Sequence, residues 1–247
     1  MQILFGRRAA LVGGVSAAMI PPVSLAAEPG RSEAQMKEDW PWLGRYAADN
    51  QALLAKGAAT AVVFMGDSIT EGWKTKDPGF FQPSWICRGI GGQTSPQMVL
   101  RMATDVVALR PKILHILAGT NDVAGNTGPM TAAMTVANVR AMVAIAKDAG
   151  IKVLAGAIPP ASAFYWNPAA RPAAKIIEIN QRLEALAKER EIGWVDYHAV
   201  LRVDQGGFDR RYSDDGVHPN AMGYAQMKKL AEPAIARILK GNYRRGR

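Results

Sequence analysis

The chain has 247 residues, 49% of them hydrophobic and 21% charged, which suits one globular domain with a sizeable core. No repeat, heptad run or low-complexity tract is present, and the single cysteine, Cys87, excludes a fold stapled by internal disulfides. The formal net charge of +9 permits attraction to acidic polymers or membrane surfaces but reads more plainly as a solvated surface with a basic tail at Tyr243–Arg247, and no nucleic-acid partner is expected.

The first segment reads as an export signal. Arg7 and Arg8 precede an apolar run from Ala9 to Ile20, Pro21 and Pro22 break it, and Ser24-Leu25-Ala26 supplies small residues for cleavage. Residues 1–26 are therefore expected to be removed, leaving 27–247 as a single periplasmic or secreted domain. The arginine pair also fits the twin-arginine route, although Gly6 and Ala9 are unusual neighbours for it. The run is too short to span a bilayer, which takes about 20 residues, so the mature chain is expected to lack a transmembrane segment.

Glu33 to Lys56 reads as a helix leading into the domain, with an irregular start at Trp40, Pro41 and Trp42. Five short apolar runs follow: Thr60–Gly66, Trp85–Ile90, Lys112–Gly119, Lys152–Ile158 and Gly193–Tyr197. They are continuous and do not alternate, as expected of strands covered on both faces. Cys87 lies inside the second run and reads as a small buried hydrophobe. Helical patterns at Pro96–Leu109, Thr131–Ala149 and Ala169–Arg190 separate the runs, and Asn220–Lys240 closes the chain. This order predicts a three-layer α/β/α sandwich around a five-stranded parallel sheet.

In such sheets function gathers at the loops leaving the carboxyl ends of the strands. Asp67-Ser68 follows the first run, Gly91-Gly92-Gln93 the second and Thr120-Asn121-Asp122 the third. A nucleophilic hydroxyl needs a base beside it, a group to orient that base, and donors for the oxyanion. The chain has three histidines. His115 lies within an apolar run and reads as a hydrogen-bonded core residue, and His198 reads as a capping or packing residue. His218 follows Asp215 by three residues in Asp215-Gly216-Val217-His218-Pro219, where a turn can bring the carboxylate to one ring nitrogen. Asp214 is a rival orienter, and Asp215 as a cap of the last helix is the plainer alternative. Ser68 stands where a helix would begin, beside free backbone N–H groups, although a serine there is often only a cap.

Four blocks occur in order: Gly66-Asp67-Ser68-Ile69, Arg88-Gly89-Ile90-Gly91-Gly92-Gln93-Thr94, Gly119-Thr120-Asn121-Asp122 and Asp215-Gly216-Val217-His218-Pro219. Together they resemble the SGNH hydrolase superfamily, also called GDSL lipases and acylhydrolases, from about Ala61 to Lys229. The resemblance implies the flavodoxin-like fold of that superfamily, with Ser68 as nucleophile, His218 as general base and Asp215 as its partner. It implies an oxyanion hole made by the Ser68 and Gly92 backbone and the Asn121 side chain. Asp67 and Asp122 read as loop braces. Ile69 replaces the usual leucine, and Cys87 stands where many relatives carry asparagine.

The implied reaction is cleavage of an ester through an acyl-enzyme, with no metal or cofactor expected. Short acyl esters, such as those of acetylated sugars, are the favoured substrate class among small-molecule, carbohydrate and lipid esters. An acyltransferase using the same serine, a lysophospholipase or thioesterase, and a non-catalytic binding domain stay open. Trp73, Tyr165 and Trp166 are candidate substrate-binding residues among the loop aromatics Trp73, Phe80, Phe81, Trp85, Phe164, Tyr165 and Trp166, which would otherwise pack the loops onto the domain. Gly89-x-Gly91-Gly92 lacks the spacing and the lysine of a phosphate-binding loop.

Overall fold

A computed structural model describes residues 32–204 and 206–241. The elements run α1 (Glu33–Glu38), α2 (Ala47–Ala55), β1 (Val62–Gly66), α3 (Ser68–Lys76), β2 (Trp85–Gly89), α4 (Ser95–Asp105) and β3 (Ile113–Leu117). There follow α5 (Thr120–Ala124), α6 (Ala132–Asp148), β4 (Lys152–Gly156), α7 (Pro172–Glu189), β5 (Gly193–Val195), α8 (Tyr197–Leu201) and α9 (Ala221–Leu239). The five strands form one sheet in the order β2-β1-β3-β4-β5, and every pairing is parallel. The expected architecture is present. The segment expected to direct export lies outside the described residues, and among those described no helix is long and apolar enough to cross a membrane.

Side chains on successive strand residues point to opposite faces, and the two cores follow that alternation. Val63 and Met65 of β1, Leu114 and Ile116 of β3 and Val153 of β4 join Met98, Met142, Ile179 and Leu183 on the face covered by α4, α6 and α7. Val62 and Phe64, Ile113 and Leu117, and Leu154 meet Trp73, Met227, Ala231 and Ile235 on the face covered by α3 and α9. Burial on both sides is why the runs are continuously apolar.

Three boundaries differ from expectation. The helix read over Glu33–Lys56 is broken: Pro41 lacks an N–H, Trp42 takes a left-handed φ of 57°, and the Asp39 carboxylate accepts from the Leu43 and Gly44 N–H groups. The fifth strand stops at Val195 because the Asp196 side chain caps α8 through the Ala199 N–H, so Tyr197 is helical. The helix read from Ala169 begins at Pro172, a proline in its first turn.

Candidate active site

Strand order reverses about β1, since β2 is added on one side and β3 on the other. The loops after these strands therefore flank one crevice at the carboxyl edge. Asp67 follows β1 directly, still in extended conformation, and caps α3, its Oδ1 accepting from the Ile69 N–H at 2.9 Å. Ser68 is thus the first residue of a helix, where first-turn N–H groups have no intrahelical acceptor. The nucleophile helix can pack this close to β2 only because residue 89 is glycine. A Cβ there would come within 2.3 Å of the Glu71 backbone nitrogen. From the same turn Glu71 reaches across to accept from the Gly91 N–H at 2.8 Å.

The loop after β2 turns at Gly92, whose φ of 78° is left-handed. Behind it lies a buried polar frame. Arg101, with no exposed surface, donates to Gln93 Oε1 at 2.5 Å and to the Arg88 carbonyl at 2.6 Å, and pairs with Asp105 at 2.8 Å. After β3, the Asn121 side chain is buried and donates to the Gln93 carbonyl at 3.0 Å, leaving its second amide hydrogen without a protein acceptor among the described residues. Asp122 accepts from the Ser95 hydroxyl and N–H and from Thr135, tying the loop after β3 to α4 and α6. Burial pushes its carboxyl above the usual range, against the pull of those hydrogen bonds.

His218 comes from the loop before α9. Its Nε2 lies 2.9 Å from Ser68 Oγ, and its Nδ1 lies 2.7 Å from Asp215 Oδ2. Asp215 Oδ1 also accepts from the Val217 and His218 backbone N–H groups at 2.9 and 2.8 Å. Partial burial would raise the Asp215 carboxyl, but the hydrogen bonds from His218 and Val217 outweigh it and hold it below the ordinary carboxylate value. Asp214 instead accepts from Asn220, and Asn220 caps α9 through the Gly223 N–H. Neither the rival orienter nor the capping alternative for Asp215 matches this arrangement. Pro219 precedes that cap and bridges to Ser213.

The other histidines lie elsewhere. His115 is fully buried beside Tyr197, 2.8 Å from its hydroxyl, and burial lowers its pKa to about 3. His198 is mostly buried at α8. Cys87 is buried in β2, and burial pushes its thiol up.

The aromatic candidates divide. Trp73 has no exposed surface: its ring stacks on Phe80 at 4.2 Å and on Tyr224 at 5.7 Å, in the core beneath the sheet. A side chain enclosed in this way has nothing to offer a substrate, and the substrate-binding expectation for Trp73 is corrected to core packing. Phe80 and Trp85 belong to the same core. Trp166 is half-buried, its ring 6.4 Å from that of His218, and it donates from Nε1 to Asn126 Oδ1 at 3.1 Å. Tyr165 is 70% exposed and packs edge-on against Trp166. Glu71 and Asn126 escaped the sequence reading. Glu71 lies one helical turn past Ser68, a usable signal, whereas Asn126 has only its nearness to the Asn121 block.

Comparison with known proteins gives this geometry its context. The model of the GDSL-like Lipase/Acylhydrolase family matches residues 64–226. A crystal structure of a Bacteroides fragilis protein assigned as an acylhydrolase is 42% identical and superposes with a TM-score of 0.78, covering 81% of this chain and 99% of its own. A GDSL-like lipase from Bacteroides thetaiotaomicron is 40% identical with a TM-score of 0.76 over the same shares. An acetyl xylan esterase shares the fold at 21% identity and a TM-score of 0.59, over 70% of this chain and 98% of its own. No curated protein gives a significant match. The chain belongs to the GDSL-like lipase/acylhydrolase family and is a carboxylic ester hydrolase.

Proposed function

We propose that the chain cleaves short acyl esters through an acyl-enzyme on Ser68. The observation that carries this reading is the Ser68 Oγ to His218 Nε2 distance of 2.9 Å, with Asp215 on the opposite ring nitrogen. A carboxylate at Nδ1 favours the tautomer with its proton there, which leaves Nε2 free to accept. As Oγ bonds to the ester carbonyl carbon, its proton passes to Nε2. The alkoxide leaving group then takes that proton as the carbon–oxygen bond breaks. Water repeats the sequence on the acyl-enzyme, releasing a carboxylic acid and returning the proton to Oγ. The Ser68 and Gly92 N–H groups and the free Asn121 amide hydrogen are the donors for the oxyanion.

The preference for short acyl groups is supported by where the apolar surface goes. Trp73, Phe80 and Trp85 are taken up by the core, so they offer no channel for a long chain. Trp166 remains beside His218, with Tyr165 edge-on against it, an aromatic surface suited to a small acyl group or a sugar ring. Hydrolysis of nitrophenyl esters from acetyl to long-chain acyl tests both parts. Ser68→Ala is expected to lower turnover by about 10⁴–10⁶-fold and to abolish fluorophosphonate labelling. Near-native turnover in that variant would overturn the mechanism, and a preference for long chains would overturn the substrate class. We also propose that residues 1–26 direct export; a secreted form retaining Arg7 and Arg8 would refute cleavage at that point.

A further inference from the structure

The geometry points to Asn126 as a positioning residue that sets the direction of the Asn121 oxyanion donor, a role resting on the proposed function above. Three contacts meet at its side chain. Its Oδ1 accepts from Trp166 Nε1 at 3.1 Å, and its Nδ2 donates to the Gly92 carbonyl at 3.1 Å and to Asn121 Oδ1 at 3.0 Å. The two amide hydrogens of Asn126 are matched to two acceptors, so the group is fully satisfied.

Chemistry dictates the orientation. An indole N–H can only donate and a peptide carbonyl can only accept, so the Asn126 amide fits this site one way round. Its NH₂ then faces Asn121 Oδ1, which turns the Asn121 NH₂ toward the Gln93 carbonyl and the crevice. With Asn126 removed, the Asn121 amide keeps only the Gln93 carbonyl to distinguish and hold its two ends. The Gly92 carbonyl, which accepts from Asn126, shares its peptide plane with the Gln93 N–H, itself bonded to the Ile90 carbonyl, so the same side chain also braces the turn that follows Gly92.

The backbone explains how residue 126 comes to be there. Gly125 ends α5 in a left-handed conformation, its N–H bonding to the Asp122 carbonyl and that of Asn126 to the Asn121 carbonyl. This helix ending folds Asn126 back over Asn121, five residues earlier. Trp166 comes from a separate loop and also lies beside His218, so one indole touches both the amide relay and the base.

The test is steady-state kinetics on nitrophenyl acetate with single and double variants. Asn126→Ala is expected to lower kcat by about 10–100-fold, with KM within about threefold. Placed on top of Asn121→Ala it should cost less than about threefold more, because its main route of action is already gone. Asn126→Asp has nearly the same volume and keeps an acceptor for Trp166 but cannot donate, so it should match the alanine variant. It carries the same test should Asn126→Ala fail to fold. A kcat within about twofold of native for the folded variant, or losses that multiply in full with Asn121→Ala, would overturn the positioning role. Ser68→Ala separates the two levels. If it keeps native turnover the site reading fails and this inference with it; if it is inactive while Asn126 variants turn over normally, only the positioning role fails.

Discussion

Asp215 holds His218 at two points, through its ring Nδ1 at 2.7 Å and through its backbone N–H at 2.8 Å, using one carboxylate oxygen for each. The same carboxylate thus shapes the turn and orients the imidazole. Asp215→Asn places an amide at the ring nitrogen, which favours the opposite tautomer and puts a proton on Nε2. The turn survives, because the side-chain oxygen can still accept from Val217 and His218. A fall of about 10³–10⁴ in kcat with an unchanged thermal midpoint is expected. Steady-state kinetics beside a melting curve check it, and turnover within tenfold of native would refute the orienting role.

Asp67 gives a pH signature to stability. Burial raises its carboxyl from 3.8 to about 7, against the opposing Ile69 N–H bond and the His218 charge. Between those values the folded chain keeps a proton that the unfolded chain releases. Stability from this group is therefore full at the acid end, falls as pH rises through that window, and levels off above about 7. Asp67→Asn keeps an acceptor for the Ile69 N–H and cannot ionise. Urea unfolding at about pH 5 and about pH 8 should show the native chain losing more stability between them than the variant does. Equal losses would contradict the shifted ionisation.

The frame behind the Gly92 turn depends on a pair with no exposed surface, Arg101 and Asp105. Burial alone would make the Arg101 guanidinium easier to deprotonate, and its pKa is lowered despite Asp105. Arg101→Met leaves Asp105 buried with only the Asn50 amide as a donor and releases Gln93 and the Arg88 carbonyl. A loss of about 3–5 kcal/mol in urea unfolding is expected, with reduced turnover from a loosened oxyanion loop. A loss under about 1 kcal/mol would mean that the pair is replaceable by packing alone.

Much of the fold was legible because burial imposes a local pattern. A strand covered on both faces is apolar at nearly every position, with the buried exceptions Arg88 and His115 hydrogen-bonded, and the five runs became β1 to β5 in order. The nucleophile loop was legible for a similar reason, since the cap at Asp67 and the close approach at Gly89 each admit few residue types. The break at Trp42 was half legible: Pro41 marked it, but the left-handed turn needed the Asp39 carboxylate to hold it.

The amino-acid order by itself determined which residue types stand at the strand ends and in what succession, because strand periodicity and turn chemistry are properties of neighbours along the chain. Tertiary structure alone decided that Trp73 is enclosed while Trp166 stays beside His218, and that Asn126 joins Gly92 to Asn121. Each of these depends on the direction of a side chain toward a partner brought close by packing. Such directions are set by the hydrogen-bond partners and space available once the layers have closed.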